Sequence, residues 1–391
     1  PPSTALILSL LTFAAGFIAR PIGGIIFGHF GDKIGRKKTL ISALMLMGIS
    51  STLIGLLPTY AMIGVAAPIL LTLLRFAQGL AIGGQWGGAM LLVTESAPSN
   101  QRGYYGAFAQ AGAPIGVILA NLALIITSAL VSEEFFNTWG WRIPFLASAV
   151  LIVISMYIQL NLEDTKAFKE LAVHKNKQQG DVETVIQRSP IIEAIRKYPK
   201  RIILAAGAFL SVQVTFYILI AFLLAYGVQS VNMARDDMLA AVLIASAIMV
   251  PMQFVFSSYS DRHGRRGIFM LGAVLSGLWA FAIFPLVDTG NFLLIVLAIS
   301  GGLIFLAMMY GPQAAFFTEL FSTEVRYSGA TLGYQFGAIV GGAFAPTIAV
   351  KLWTELDIFW VSVYIAFAAL LTLLSVMALT ETYQSDLNNT Q

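Results

Sequence analysis

The sequence predicts an all-α, polytopic membrane protein. Three observations predict it: the composition, the recurrence of long apolar runs, and the sorting of basic residues between them. Of 391 residues, 58% are hydrophobic and 11% charged, with a mean hydropathy of +0.80. Soluble domains carry roughly 25% charged residues, and a soluble core of this length could not hide so much apolar surface. Runs of about 20 apolar residues, the length that crosses a bilayer as a helix, recur from one end of the chain to the other. The absence of cysteine and a net charge of only +3 speak against disulfide scaffolds, thiol chemistry and nucleic-acid binding.

Taken in order, the runs give eleven spans: 4–27, 39–57, 68–93, 104–130, 142–161, 202–226, 238–257, 268–287, 291–313, 328–350 and 358–379. The first has no basic leader and carries Arg20 inside it, so it reads as a span and not as a signal peptide. Glycine, 35 in all, is frequent within the spans, as expected where helices approach closely in lipid.

The connections 28–38, 94–103, 163–201, 258–267 and 319–327 hold 18 of the Lys and Arg residues, while the alternate connections hold two, Arg235 and Lys351. The positive-inside rule makes the first set cytoplasmic, with the C-terminus also inside. The longest connection divides the chain into an N-terminal bundle, 1–162, a cytoplasmic linker, 163–200, and a C-terminal bundle with a short tail, 201–391. Within the linker, Ser189-Pro190 opens a short amphipathic stretch, Ser serving as cap and Pro fitting the first helical turn.

The chain contains an internal repeat. Gly28-His29-Phe30-Gly31-Asp32-Lys33-Ile34-Gly35-Arg36-Lys37-Lys38 returns as Ser260-Asp261-Arg262-His263-Gly264-Arg265-Arg266, 229 residues later at the Asp. Glu95 precedes Arg102 by seven residues, and Glu319 precedes Arg326 by the same seven. Two independent features at nearly one offset indicate parallel halves, an arrangement found in secondary transporters. In the second half a full span, 202–226, stands before the one leading to Asp261, and in the first half nothing stands before the one leading to Asp32. Symmetry therefore predicts two six-helix bundles, with the first of twelve spans lacking here.

Each repeated motif combines a carboxylate with basic residues. Asp32 is expected to favour the positive end of the helix that follows, with Gly31 and Gly35 allowing a tight turn. Arg36, Lys37 and Lys38 can meet carboxylates such as Glu95. Asp32, Arg36, Glu95, Arg102, Asp261, Arg265, Glu319 and Arg326 thus form candidate conformational charge clusters at the inner face. The plain alternative is positive-inside topology, which would need only the Lys and Arg.

Gly28 to Lys38 resembles the loop motif of the major facilitator superfamily. Arg75-Phe76-Ala77-Gln78-Gly79, Gly83-Gly84-Gln85-Trp86-Gly87-Gly88 and Glu95-Ser96-Ala97-Pro98 resemble its metabolite:proton symporter branch, as do Trp139-Gly140-Trp141-Arg142-Ile143-Pro144-Phe145 and Glu319 to Gly329. The resemblance implies a twelve-helix secondary transporter of small metabolites, such as organic acids, shikimate or betaine-like osmolytes, driven by proton co-transport. This chain departs from the family in carrying Gln85 where Glu is usual and in lacking the family's acid-bearing first helix.

No phosphate-binding loop is present, and the glycine-rich stretch around Gln85 lies mid-span, where it suits close helix packing. His29, His174 and His263 form no metal-ligand constellation, so neither a metal nor a cofactor is expected. All 20 Asp and Glu residues fall in loops, tails or span ends. Arg20 and Arg75, in contrast, lie inside spans, where an ionisable group is expensive and marks a functional site. Arg75, Gln78 and Gln85 share one helical face, as do Gln110 and Asn121. Gln213 with Tyr217, Tyr310 with Gln313, and Tyr334 with Gln335 place further hydrogen-bonding groups at membrane depth. These twelve residues are the candidates for substrate binding or gating.

The sequence thus predicts a non-enzymatic secondary transporter of a small carboxylate-bearing metabolite, working by alternating access in the plasma membrane. Its partners are the metabolite, protons and the bilayer, with no nucleic acid and no obligate protein. Proton-independent facilitation, osmolyte symport and a non-transporting sensor are the other readings.

Overall fold

The computed structural model describes residues 2–178 and 189–388. Among these residues the regular structure is entirely helical. The main helices are α1 (Pro2–Lys33), α2 (Arg36–Leu56), α3 (Ala66–Ser96), α4 (Arg102–Leu130), α5 (Arg142–Asn161), α6 (Lys166–Gln178), α7 (Pro190–Lys197), α8 (Pro199–Gln229), α9 (Arg235–His263), α10 (Arg265–Asp288), α11 (Phe292–Glu319), α12 (Arg326–Glu355) and α13 (Ile358–Ala378). Ten of them, α2 to α5 and α8 to α13, are long and apolar enough to cross a membrane, and α1 runs for 32 residues. Residues 179–188 of the expected linker lie outside the described residues, and its remainder forms α6 and α7.

Several long helices are interrupted. Helix α4 turns at Ala111, and both α8 and α12 contain a π-helical segment, Ile218–Phe222 and Ala338–Ala343. The repeated loop motif folds the same way twice. Gly35 has φ 124° between α1 and α2, and Gly264 has φ 101° between α9 and α10. Only glycine takes these angles without strain, so the reversal, two residues long in the first loop and one in the second, needs glycine directly before the next helix at both places.

The chain forms two compact units, and neither is a continuous stretch. The first comprises Pro1–Leu92, Leu119–Lys197 and Thr323–Gln335, and the second Val93–Ile118, Tyr198–Ser322 and Phe336–Gln391. In the first unit the glycines of α3 face α1 directly. A Cβ on Gly79 would overlap the Gly16 carbonyl, and one on Gly83 the Arg20 carbonyl. Such small-residue faces supply packing in lipid, where no hydrophobic drive holds helices together.

The second unit is held by buried side-chain contacts between helices. Thr372 of α13 donates its hydroxyl to the Gly207 carbonyl of α8 at 2.9 Å and accepts the Ser211 N–H at 2.9 Å. Ser362 donates to the Ala280 carbonyl of α10 at 2.8 Å. Phe222, Tyr226, Phe284 and Trp353 form an edge-to-face cluster, and the Tyr226 hydroxyl donates to Asp288 at 2.5 Å.

Candidate functional site

In the first unit Asp32 sits in the last turn of α1 and is buried. The sequence led us to expect it at the start of α2. Helix α1 continues past the apolar run to Lys33, which carries Asp32 to a different partner. Its two carboxylate oxygens accept the backbone N–H groups of Tyr327, at 3.0 Å, and Ser328, at 2.9 Å, in the first turn of α12. The carboxylate that closes α2 is Asp164, whose Oδ1 accepts the N–H groups of Arg36 at 3.1 Å and Lys37 at 3.4 Å.

Arg36 is fully buried beside Asp32, its Nη1 3.2 Å from Oδ1. It also donates to the Gly31 carbonyl at 2.8 Å and to the Thr323 carbonyl at 2.9 Å. Tyr327 completes the contact: its hydroxyl donates to the Gly84 carbonyl of α3 at 2.5 Å, and its ring covers Gly31, Gly87 and Gly88. Burial pushes the Asp32 carboxyl up to about 6, against the pull of Arg36 and the two amide donors.

The second unit repeats this arrangement. Asp261, near the end of α9, accepts the N–H groups of Gly103 at 2.7 Å and Tyr104 at 2.9 Å, in the first turn of α4. Arg265 donates to Asp261 at 2.6 Å and to Glu319 at 2.8 Å. Glu319 further accepts the Thr382 hydroxyl at 2.8 Å and lies 3.6 Å from Arg102. Glu381 closes α10, accepting the N–H groups of Arg265 at 2.8 Å and Arg266 at 3.0 Å.

Each motif Asp thus caps a helix belonging to the other half of the sequence. Anion-to-N-terminus contacts of this kind are favoured both by the free N–H groups and by the helix dipole. Asp164, Glu381, Thr382 and Tyr327 did not stand out in the sequence. One signal for the first three was present, since Asp164-Thr165 and Glu381-Thr382 each follow the last span of a half.

Glu95 and Arg326 are buried in the second and first units respectively. Arg102 meets Glu319, from the other half, and donates to the Ser385 carbonyl at 2.8 Å. Residues of the C-terminal tail therefore form part of the charge cluster.

The first unit also contains a cavity of about 970 Å³ lined by Arg20, Arg75, Gln78, Arg142, Trp141 and Tyr60, among others. Arg75 donates to the Gln78 amide oxygen at 3.3 Å, and the Gln78 amide nitrogen donates to Ser51 at 2.7 Å. Arg20 lies over the Phe17 ring, 4.4 Å from its centroid. Arg142 bonds the Gly55 and Leu57 carbonyls at the end of α2, at 3.1 and 2.5 Å. Gln85, on the same face of α3 as Arg75 and Gln78, is not among the cavity-lining residues.

The other candidates are dispersed. Gln110 is buried in the second unit and donates to the Tyr310 carbonyl at 2.7 Å, whereas Asn121 belongs to the first unit, beyond the turn at Ala111. Tyr310 stacks on Phe209, and Gln313 is fully buried with no hydrogen bond at its amide. Gln213 and Tyr217 lie against Gly341 and Gly342 of the π-helical segment in α12. In the first unit Tyr334 stacks on Trp86 at 4.0 Å, and the Gln335 amide donates to the Gly83 carbonyl at 3.4 Å.

A helical membrane protein built from two repeated halves, each capping a helix of the other, is the architecture of a membrane transporter. The chain matches the Major Facilitator Superfamily over residues 3–332 and belongs to that family, whose members are transporters and not enzymes. Among its relatives is the inner membrane metabolite transport protein YhjE of Escherichia coli, 40% identical, covering 99% of this chain and 87% of that protein. The shikimate transporter of Escherichia coli is 37% identical over 93% of this chain and 82% of its own length. A proline/betaine transporter of Salmonella typhimurium is 34% identical over 97% and 76%. The fold is similar to that of the proton:xylose symporter XylE bound to 6-bromo-6-deoxy-D-glucose, with a TM-score of 0.76, 16% identity and coverage of 96% and 86%.

Proposed function

We propose that the protein is a secondary active transporter that carries a small organic acid or related metabolite across the bacterial inner membrane with protons, by alternating access. The observation that carries the substrate class is the meeting of Arg20 and Arg75 in one cavity with Gln78. Arg20 and Arg75, with Arg142 held nearby by backbone carbonyls, complement a negative charge in a largely apolar chamber, and a carboxylate accepts hydrogen bonds from a guanidinium and an amide. Relatives described as metabolite and shikimate transporters support the same class. In this reading the Asp32 and Asp261 loops and the C-terminus face the cytoplasm, which the concentration of Lys and Arg in the corresponding connections supports.

In this reading the clusters formed by Asp32, Arg36, Glu95, Arg102, Asp261, Arg265, Glu319 and Arg326 favour the state closed to the cytoplasm and release it when the halves rock. The remaining polar residues at membrane depth, Gln85, Gln110, Asn121, Gln213, Tyr217, Tyr310, Gln313, Tyr334 and Gln335, serve as further binding or gating groups. The proline/betaine transporters among the relatives favour a second reading, symport of a zwitterionic osmolyte, whose carboxylate would use the same arginines.

Uptake of labelled organic acids and betaines into proteoliposomes, with and without an inward proton gradient, tests both. Under the first reading an organic acid accumulates only with the gradient. Arg75→Gln raises its half-saturation concentration by about tenfold to a hundredfold, the equivalent of losing a charged hydrogen bond. Equal uptake without the gradient would replace symport by facilitation.

A further inference from the structure

The cavity of the first unit holds more positive charge than one carboxylate neutralises. Arg75 and Arg142 line it together with Arg20, and no Asp or Glu stands among its described lining residues. Neither Arg75 nor Arg142 forms an ion pair among the described residues. The Arg75 side chain bonds the Gln78 amide oxygen, at 3.3 Å. Arg142 is 7% exposed and places Nη1 alone on the Gly55 and Leu57 carbonyls, so Nε and Nη2 make no bond among the described residues. Carbonyls hold a guanidinium in place but carry no net charge, and the buried charge of Arg142 stays uncompensated. Both cations are anchored on one face of α2. Gln78, which orients Arg75, donates to Ser51, and Gly55 follows Ser51 by one helical turn, about 6 Å along the axis. Phe17 and Trp141, whose ring faces would suit a quaternary ammonium, already carry the guanidinium groups of Arg20 and Arg142, at 4.4 and 4.5 Å.

Resting on the organic-acid reading above, we infer that the cavity takes a short-chain dicarboxylate, one carboxylate on Arg75 and the other on the Nε and Nη2 groups of Arg142. One anion at each station neutralises both cations, whereas a monocarboxylate leaves one of them unpaired in a largely apolar chamber. Anchors one helical turn apart suit two carboxylates joined by a few carbons. A zwitterion fits worse, because its ammonium would approach a second guanidinium and find the faces of Phe17 and Trp141 occupied. Arg142 is thereby the residue that distinguishes a diacid from a monoacid, while its Nη1 bonds to α2 fix where the second carboxylate sits.

Purified protein is titrated with malonate, succinate, glutarate and adipate, each beside its monomethyl ester, and apparent dissociation constants are read from the shift of the unfolding midpoint. At least one diacid should bind about tenfold or more tightly than its half-ester. Arg142→Gln should bring that ratio below about threefold, and Arg142→Lys, which keeps the charge, should recover part of it. Equal binding of diacid and half-ester across the series overturns the inference, as does an undiminished ratio in Arg142→Gln. The comparison in the natural protein needs no variant, so it decides the question even if Arg142→Gln fails to fold. A labelled monocarboxylate that accumulates with the proton gradient while no diacid binds overturns the dicarboxylate assignment alone and leaves the organic-acid reading standing. If no acid of either kind binds or accumulates, both fall.

Discussion

Thr94 and Thr318 share a 2.8 Å hydrogen bond between their hydroxyls, and the two residues are 224 positions apart, the offset of the repeated Glu and Arg pairs. Both are fully buried in the second unit. A residue that bonds its own counterpart lies on a local two-fold, since each half offers the same atom to the other. The short segment Val93–Ser96 of α3 thus joins α11 by the same surface that α11 presents. Thr318 is held for this contact by its second bond, to the Ala314 carbonyl at 2.8 Å.

Thr94→Val and Thr318→Val keep the shape and remove one hydroxyl each. Either change leaves the partner hydroxyl buried and lacking this bond, at a cost of about 1–3 kcal/mol. The double variant should lose less than the sum of the single losses, by about 0.5–1.5 kcal/mol, because the bond the two hydroxyls share can be lost only once. Thermal unfolding in detergent across the four-member cycle measures the coupling, and strict additivity would mean the two hydroxyls do not interact.

Much of this organisation could be read before the structure. The apolar runs located the helices, and the repeated motifs marked the two loops that fold alike; Arg20, Arg75 and Gln78, singled out for their intramembrane positions, line one cavity. What the sequence could not supply was the partner of Asp32. A carboxylate at the end of a helix can cap the next helix or a distant one, and periodicity carries no information about a contact 295 residues away. The extension of α1 to Lys33 decided the matter, and span ends are where hydropathy is least exact. Glu381 escaped notice for a related reason, since a tail acid only acquires meaning once the tail folds back onto α10.

Arg265 tests the charge cluster. It is fully buried and serves both Asp261 and Glu319, whose own burial raises its carboxyl's cost of ionisation. Arg265→Gln would leave Glu319 with Arg102, 3.6 Å away, and the Thr382 hydroxyl. Removing one member of a buried pair costs about 3–5 kcal/mol. A second change, Glu319→Gln, should recover a large part of that loss. Chemical or thermal unfolding of the two single variants and the double variant reads this directly. Failure of Glu319→Gln to recover stability would show that Arg265 acts through Asp261 alone.

Asp32 gives the cluster of the first unit a pH dependence. Its carboxyl is raised from an ordinary value of 3.8 to about 6, first by burial, with Arg36 and the Ser328 and Tyr327 amides opposing. The folded protein therefore holds this proton more tightly than the unfolded chain. The stabilising contribution is full below about 4, declines as pH rises through about 6, and is constant above that. Asp32→Asn cannot titrate, so the stability of the natural protein relative to this variant should fall between pH 4.5 and 7 and then level. Parallel pH profiles of unfolding midpoints check the sign, and a relative stability that rises over this window would refute it.

Tyr327 links the Asp32 cap to the glycine face of α3, and two substitutions separate its roles. Tyr327→Phe removes only the hydroxyl bond to the Gly84 carbonyl, which should cost about 1–3 kcal/mol by leaving that bond unmade. Gly31→Ala keeps every hydrogen-bonding group but places a methyl inside the Tyr327 ring. The ring is pressed against Gly87 and Gly88 on its other side and cannot retreat without moving the Tyr327 and Ser328 amides away from Asp32. Gly31→Ala should therefore destabilise more than Tyr327→Phe, although it removes no bond, and its loss should shrink when combined with Tyr327→Ala, which makes room for the methyl. Unfolding midpoints for the two single variants and the Gly31→Ala, Tyr327→Ala pair measure this. Equal losses for Gly31→Ala with and without the tyrosine ring would show that α1 accommodates the methyl by itself, and that the cap does not depend on the close approach at Gly31.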